Sequence, residues 1–324
     1  MTATPIRWGI LATGGIAAQF TRDLALADGA EVVAVGSRSL DSARAFAAEH
    51  GIPRAYGSWQ ELAADPQVDI VYVATPHSAH HAATMVCLEA GKAVLCEKPF
   101  TLDLPTSQQL VDLARARGLF LMEAMWMATN PTIRRVQEVV ASGEIGEIRH
   151  VQADFGVPGP FPAGHRMRAR ELGGGALLDL GVYPVTFAHL FLGAPSAIAA
   201  VATLLPEGTD ESTSMALGYP DGATATLHCG MSADTGGRAV ISGTAGRIEL
   251  ARRFHVPAGY LLYHGEEATR VDVPIRGHGM LYEAEEAMRC LRAGLIESPL
   301  VPHEQTLAIM ATLDAIRAQT GVTY

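Results

Sequence analysis

The segment that most limits the fold is the first. Ile6-Arg7-Trp8-Gly9-Ile10-Leu11 reads as a buried strand, and it runs through Ala12-Thr13-Gly14-Gly15 into the amphipathic stretch Ile16 to Ala27. A strand, a tight glycine-bearing turn and a helix in that order form the first part of a βαβ unit, whose next strand returns parallel to the first. The grammar then repeats. Strands are predicted at Glu31 to Val35, Asp69 to Ala74, Ala93 to Cys96 and Leu119 to Met122, and helices at Asp41 to His50, Ala79 to Ala90 and Pro105 to Arg117. Ser58, three residues ahead of Glu61, marks a capping box that opens a further short helix. Apolar β-branched runs alternating with helices describe a parallel sheet covered on both faces. Residues 1–125 are therefore read as a doubly wound, Rossmann-type dinucleotide-binding domain.

Beyond a helix at Pro131 to Ser142 the pattern changes. Strand-like runs now follow one another: Glu147 to Phe155, Ala197 to Leu205, Met215 to Tyr219, Ala223 to Cys229, Arg238 to Ser242 and Arg247 to Ala251. Pro220-Asp221-Gly222 supplies a hairpin turn between the third and fourth of these. Two helices follow, Tyr282 to Ala293 with Gly294 as its stop, and His303 to Gln319. Residues 126–324 are read as an α/β domain with a large, mostly antiparallel open sheet. A chain of 324 residues is long for a single core, so two domains are expected in any case.

A formal net charge of -10 argues against nucleic acid and anionic membrane as partners, since both attract clustered positive charge. No basic region followed by an apolar stretch opens the chain, and no apolar run approaching the length of a membrane span is expected, which points to the cytoplasm. The cysteines Cys87, Cys96, Cys229 and Cys290 are scattered, suggesting neither a zinc site nor a disulfide framework. His77, His80 and His81 lack a carboxylate or thiol at ligand spacing, so no metal is expected.

The turn after the first strand aligns Ala12, Gly14 and Ala17 with the three small positions of a dinucleotide fingerprint, alanine replacing the first glycine. Ala12, Thr13, Gly14, Gly15 and Ile16 are the candidate pyrophosphate cradle, where main-chain N–H groups at a helix start hold anions. The second strand ends Gly36-Ser37-Arg38-Ser39, with a hydroxyl and a guanidinium where NAD-binding chains carry an acidic residue. That pair suits a 2'-phosphate and selects NADP over NAD.

Only two of the 24 basic residues are lysine, Lys92 and Lys98. Lysine, unlike arginine, tunes its proton affinity when buried. Lys98, in Glu97-Lys98-Pro99 after an apolar run, is therefore a candidate for chemistry or a chance survivor of an arginine-rich composition. Gly173-Gly174-Gly175 precedes a segment in which Asp179 and Tyr183, four apart, share a helix face. A carboxylate and a phenol side by side are either catalytic or an ordinary hydrogen-bonded pair. Pro184 removes a helical hydrogen bond to Leu180 and is expected to bend this helix.

Taken together, the glycine turn, Thr75-Pro76-His77-Ser78-Ala79-His80, Ala90 through Pro99, Glu123-Ala124-Met125-Trp126, Gly173 through Pro184 and Glu297-Ser298-Pro299-Leu300 resemble the glucose-fructose oxidoreductase / inositol dehydrogenase / MocA family, on its dihydrodiol dehydrogenase and NADP-dependent xylose dehydrogenase branch. The resemblance covers nearly the whole chain. It implies a catalytic set of Lys98, Asp179 and Tyr183, and a cofactor surface that adds Thr75, Pro76, His77, His80, Glu97 and Trp126 to the glycine turn. It also implies assembly into a homodimer or homotetramer through the open sheet. Trp126, Phe155 and His165 are candidate walls of a pocket for a sugar, polyol or cyclic diol. One departure stands out: where the branch carries arginine two residues after Trp126, this chain has Ala128.

Oxidising a secondary alcohol moves a hydride to the nicotinamide and a proton to a base. Tyr183 is assigned as proton acceptor, since a nearby ammonium favours its phenolate. Lys98 is the activating charge and Asp179 the positioner; the parts of Lys98 and Tyr183 are exchangeable on sequence grounds. Two other readings stand beside the dehydrogenase, an NAD-dependent redox glycosidase of the same family and a non-catalytic dinucleotide sensor.

Overall fold

A computed structural model describes residues 4–324, which form two compact units. The first runs through Thr101 and adds Pro105–Thr129 and Arg276–Thr306; the second comprises Leu102–Leu104, Asn130–Ile275 and Leu307–Tyr324. In place of one cut after residue 125, the chain thus returns to its first unit after completing most of the second.

The first unit holds β1 (Ile6–Leu11), α1 (Gly15–Leu24), β2 (Ala30–Gly36), α2 (Leu40–His50), β3 (Arg54–Tyr56), α3 (Trp59–Ala64), β4 (Ile70–Val73), α4 (His80–Glu89), β5 (Ala93–Glu97), α5 (Leu104–Arg117), β6 (Leu121–Ala124) and α6 (Trp126–Thr129). All six strands are parallel, in the order β3-β2-β1-β4-β5-β6. The order reverses between β1 and β4, the switch point where doubly wound sheets receive ligands. Every residue of β4, β5 and β6 is buried, which is why these strands read as unbroken apolar runs. Ser58 caps α3 by accepting from Glu61 N at 3.2 Å, and the Glu61 carboxylate accepts from Gly57 N. The short β3 was not legible, being three half-buried residues at a sheet edge.

The core of this unit is aromatic. Trp8, Phe20 and Tyr72 are fully buried, with Phe20 stacked on Tyr72 at 3.7 Å between ring centroids. α9 (Leu281–Arg292) belongs here despite its distance in sequence. The main-chain N–H groups of His278 and Met280 donate to the buried Asp23 carboxylate of α1 at 2.9–3.0 Å, and the His278 ring joins at 2.8 Å.

The second unit begins with α7 (Pro131–Ala141), whose start is capped by the Asn130 side chain accepting from Thr132 N and Ile133 N. Then come β7 (Ile148–Gly156), α8 (Val182–Leu192), β8 (Ala197–Leu204), β9 (Asp210–Gly218), β10 (Thr224–Gly230), β11 (Ala239–Gly243), β12 (Arg247–Leu250), β13 (Gly259–His264) and β14 (Glu267–Asp272). α10 (His303–Thr320) closes the chain and spans the boundary between the two sets of residues. The strands form one sheet, β14-β13-β12-β11-β7-β10-β9-β8, antiparallel throughout except for β7 beside β10. The predicted hairpin joins β9 to β10 with Gly218 opposite Thr224.

One face of this sheet is apolar and covered: Val151, Ala153, Met215, Leu217, Ala225 and Leu227 are buried, and α8 packs on β7 and β10. The other carries small and polar residues, with Val201 72% exposed. The stretch Arg170–Leu192 corrects one expectation, since it is long and apolar enough by composition to span a membrane. Most of its apolar window is buried in the protein, as befits a core helix.

Candidate active site

In the first unit the turn after β1 has the shape a pyrophosphate requires. Ala12 sits at φ +112, a conformation glycine enters freely and alanine enters only under strain of about 1–3 kcal/mol. Strain at the position of the missing fingerprint glycine shows that the turn keeps its shape without that residue. Gly14 occupies the N-cap of α1, no described side chain caps the helix, and its first turn carries no acidic residue. Thr13 is partly exposed, Gly14, Gly15 and Ile16 are exposed, and a Cβ on either glycine would meet nothing within 4 Å. Uncapped N–H groups facing open space fit a dinucleotide phosphate. At the end of β2, Ser37 donates its main-chain N–H to Tyr56 O at 3.1 Å and Arg38 is exposed.

Thr75 and Pro76 leave β4 and turn into α4. His77 lies with its ring 5.6 Å from that of His80. His80 is fully buried between two main-chain carbonyls, Thr75 O at 2.9 Å from Nε2 and Pro99 O at 2.8 Å from Nδ1. Burial first, then His77 and Lys98, push its pKa down to about 4, against the two carbonyls that favour the charged ring. At neutral pH the ring therefore donates to one carbonyl only. His80 ties the Thr75 turn to the Lys98 loop, and both of its nitrogens face the main chain.

Glu97 ends β5, and its buried carboxylate accepts from the Tyr72 hydroxyl and, at 3.1 Å, from Lys98 N. Burial raises this carboxyl, while Lys98 and Tyr72 pull it down. Two further buried carboxyls belong to the same neighbourhood. Glu123 of β6 accepts from Phe100 N at 3.0 Å and Thr306 Oγ1 at 3.1 Å, yet burial pushes it up to about 7. Glu283 of α9 is fully buried, neither carboxyl oxygen has a hydrogen-bond partner among the described residues, and burial with Glu97, Asp23 and Glu123 nearby raises it well above the usual range. Lys98 thus follows a strand end beside three carboxyls whose burial raises their proton affinity. Glu97 and Glu123 lay within the quoted motifs, but nothing in the pattern of α9 marked Glu283. Trp126 opens α6 half-buried, and Ala128 is buried two residues on.

In the second unit Asp179 lies on a π-helical turn, Leu177–Gly181, that runs directly into α8. The predicted helix thus has a widened turn ahead of Pro184, where the proline supplies no N–H to the ladder, and π-turns of this kind recur at functional sites. Asp179 is 4% exposed and Tyr183 5%. The Tyr183 ring packs against Phe155 at 5.5 Å and His255 at 4.9 Å, and Phe155 and His255 stack at 4.5 Å. Arg166 reaches the Asp179 carboxylate at 3.3–3.4 Å. His165, expected as a wall, stacks on Phe161 at 4.9 Å. Arg166 and His255 were missed, since one lies in a loop and the other between strands without a spacing signal. Among the described residues no group of three His, Cys, Asp or Glu is arranged to hold a metal.

A parallel sheet in 3-2-1-4-5-6 order with an uncapped glycine turn at its switch point defines the dinucleotide-binding class of oxidoreductases. More narrowly, the chain belongs to the GFO/IDH/MocA oxidoreductase family, whose NAD-binding Rossmann-fold model matches residues 6–125 and whose C-terminal-domain model matches residues 133–249. It is 39% identical to trans-1,2-dihydrobenzene-1,2-diol dehydrogenase of Mus musculus over 98% of both chains. It is 40% identical to D-xylose 1-dehydrogenase (NADP(+)) of Hypocrea jecorina, covering 98% of this chain and 93% of that one. Among solved structures, KijD10, a 3-ketoreductase from Actinomadura kijaniata in complex with NADP and TDP-benzene, superposes with a TM-score of 0.88 at 32% identity over 99% of each chain.

Proposed function

We propose that this chain is an NADP-dependent dehydrogenase or reductase acting on a secondary alcohol or carbonyl of a sugar, polyol or cyclic diol. The observation that carries the reading is Tyr183, a phenol held in an aromatic cage at the start of α8, one turn from a buried carboxylate. Bound nicotinamide supplies hydride acceptance in one direction and hydride donation in the other. Tyr183 takes the proton of the substrate hydroxyl, or returns it to a carbonyl oxygen. Lys98 favours the phenolate through its charge, and Asp179 is the positioner, acting on the substrate or on Lys98. Phe155 walls the ring, and Trp126 is a further wall. Ser37 and Arg38 receive the 2'-phosphate; Ala12 through Ile16 receive the pyrophosphate; Thr75, Pro76, His77 and Glu97 shape the surface along the cofactor, braced by His80.

The proposed assembly is a homodimer or homotetramer through the open sheet face, where Ala197, Ala199 and Val201 of β8 lie beside Gly218, Ala216 and Ser214 of β9. Small uncharged side chains on an open sheet face suit close apposition of a second copy. Four unpaired, buried cysteines suit a reducing compartment, and the proposed location is the cytoplasm.

The test is NADP+ and NAD+ reduction, followed by absorbance, against aldoses, inositols, polyols and trans-dihydrodiols, with Lys98→Met and Tyr183→Phe in parallel. Turnover of one substrate group with NADP+, falling by about 100-fold or more in each variant, is the expected result. Unchanged turnover in Tyr183→Phe overturns the mechanism. Silence across the panel with a tightly retained cofactor replaces the dehydrogenase by the redox glycosidase.

A further inference from the structure

The helix that carries Asp179 and Tyr183 begins without a cap of its own. The side chain of Ala176, its N-cap residue, offers no acceptor to the first N–H groups, and the residues of this turn are buried. The first N–H groups of any helix need an acceptor, and where the helix is buried that acceptor comes from elsewhere in the protein. Here it comes from the first residue of β9. Asp210 is fully buried, and its Oδ2 accepts from Leu177 N at 2.9 Å and from Thr213 Oγ1 at 2.7 Å.

Three further observations converge on this carboxylate. Gly175 adopts φ +109, and a Cβ there would stand 2.5 Å from Asp210 Oδ1, so the third glycine of the triplet makes room for the acid as well as for the turn. The residue before it, Thr209, donates its hydroxyl to Arg168 O at 3.0 Å and so pins the loop that carries Arg166, the partner of Asp179. A negative charge at a helix start is also favoured by the helix dipole. Burial alone raises the Asp210 carboxyl, whereas Thr213, then Leu177 and its own and Ala176's main-chain N–H groups, hold it down.

We infer that Asp210 is the positioning residue of the catalytic helix: from β9 it caps the turn that bears Asp179 and so sets the placement of that carboxylate and of Tyr183. This rests on the reading of Asp179 and Tyr183 as catalytic. Displacing a reacting group by about 1 Å is enough to cost around 100-fold in rate without touching ground-state binding. Asp210 touches no substrate; its effect passes through the helix.

Two variants separate the parts. Asp210→Asn keeps the shape and one side-chain oxygen that can take the Oδ2 place as acceptor from Leu177 N, while Asp210→Ala removes the cap. D-xylose and trans-1,2-dihydrobenzene-1,2-diol serve as probes, with NADP+. Asp210→Ala is expected to lower kcat by about 100-fold with KM for NADP+ unchanged, and Asp210→Asn to recover most of that loss. Hydrogen exchange supplies the readout independent of turnover. Peptides spanning residues 174–185 exchange at least about tenfold faster in Asp210→Ala, while those from β1 through β2 keep the wild-type rate. If Tyr183→Phe abolishes turnover but Asp210→Ala keeps both its kcat and its exchange pattern, the positioning role is wrong and the catalytic reading stands. If Tyr183→Phe is as active as wild type, the catalytic reading itself has failed. Faster exchange in every peptide of the second unit in both variants marks a general loss of fold and also overturns a local positioning role.

Discussion

Tyr72→Phe is the substitution whose consequence follows most directly from geometry. The ring of Tyr72 is fully buried and stacked on Phe20 at an interplanar angle of 13°. Phenylalanine keeps that ring, its area and its stacking, and deletes only the hydroxyl that donates to Glu97. Losing one hydrogen bond to a buried charged acceptor costs about 1.5–3 kcal/mol. For a folded unit of this size that lowers Tm by several degrees, at about 2–4 °C per kcal/mol.

The sign of the pH dependence is fixed as well. Burial already raises the Glu97 carboxyl, and Tyr72 is one of the groups that pulls it back. Without the hydroxyl the folded-state value rises further. A raised carboxyl contributes stability below its unfolded value and loses it as pH climbs through its folded value. The lost bond favoured the ionised carboxylate over the neutral acid, so the variant is destabilised more at pH 8 than at pH 5. Urea unfolding at those two pH values measures it, with Glu97→Gln and the double variant completing a cycle. A destabilisation below about 0.5 kcal/mol at pH 8, or one that does not change with pH, refutes the account of Tyr72 as donor to an ionised Glu97.

Glu283→Gln tests the buried acid of α9. Its carboxyl is raised in the folded protein, so its stabilising contribution is present below about pH 4.3 and is lost as pH rises toward the folded value. Glutamine has no proton to lose, so the variant is expected to gain Tm relative to wild type as pH increases from 5 to 9; parallel curves would contradict this. Arg38→Ala is expected to raise KM for NADP+ by about tenfold or more, the worth of a charge-assisted contact to phosphate, and to leave KM for NAD+ unchanged. An equal rise for both cofactors removes Arg38 from the 2'-phosphate site.

What was legible in the sequence followed local periodicity. β1 was placed at its true bounds, and β5, α2, α5 and α7 came within a residue or so, because fully buried strands and helices with glycine or proline stops carry their signal within a few neighbours. β3, β13 and β14 escaped. The first is too short, and β14, Glu267–Asp272, is exposed along almost its whole length and shows no alternation. Of the site, Ala12 through Ile16, Glu97-Lys98, Asp179 and Tyr183 stood in recognisable order along the chain. Arg166, His255, Asp210 and Glu283 did not, since each matters through a neighbour that lies far off in sequence or across a loop.

The amino-acid sequence by itself determined that a Rossmann sheet opens the chain and that a largely antiparallel sheet follows. Both depend on short-range pattern and on side-chain type. Only the tertiary structure decided that α9 returns to the first unit on the Asp23 carboxylate, that Asp210 caps the helix of Asp179, and that Glu97, Glu123 and Glu283 are withdrawn from water together. A carboxylate's proton affinity and its partners are set by what surrounds it, and those surroundings exist only once the distant segments have packed.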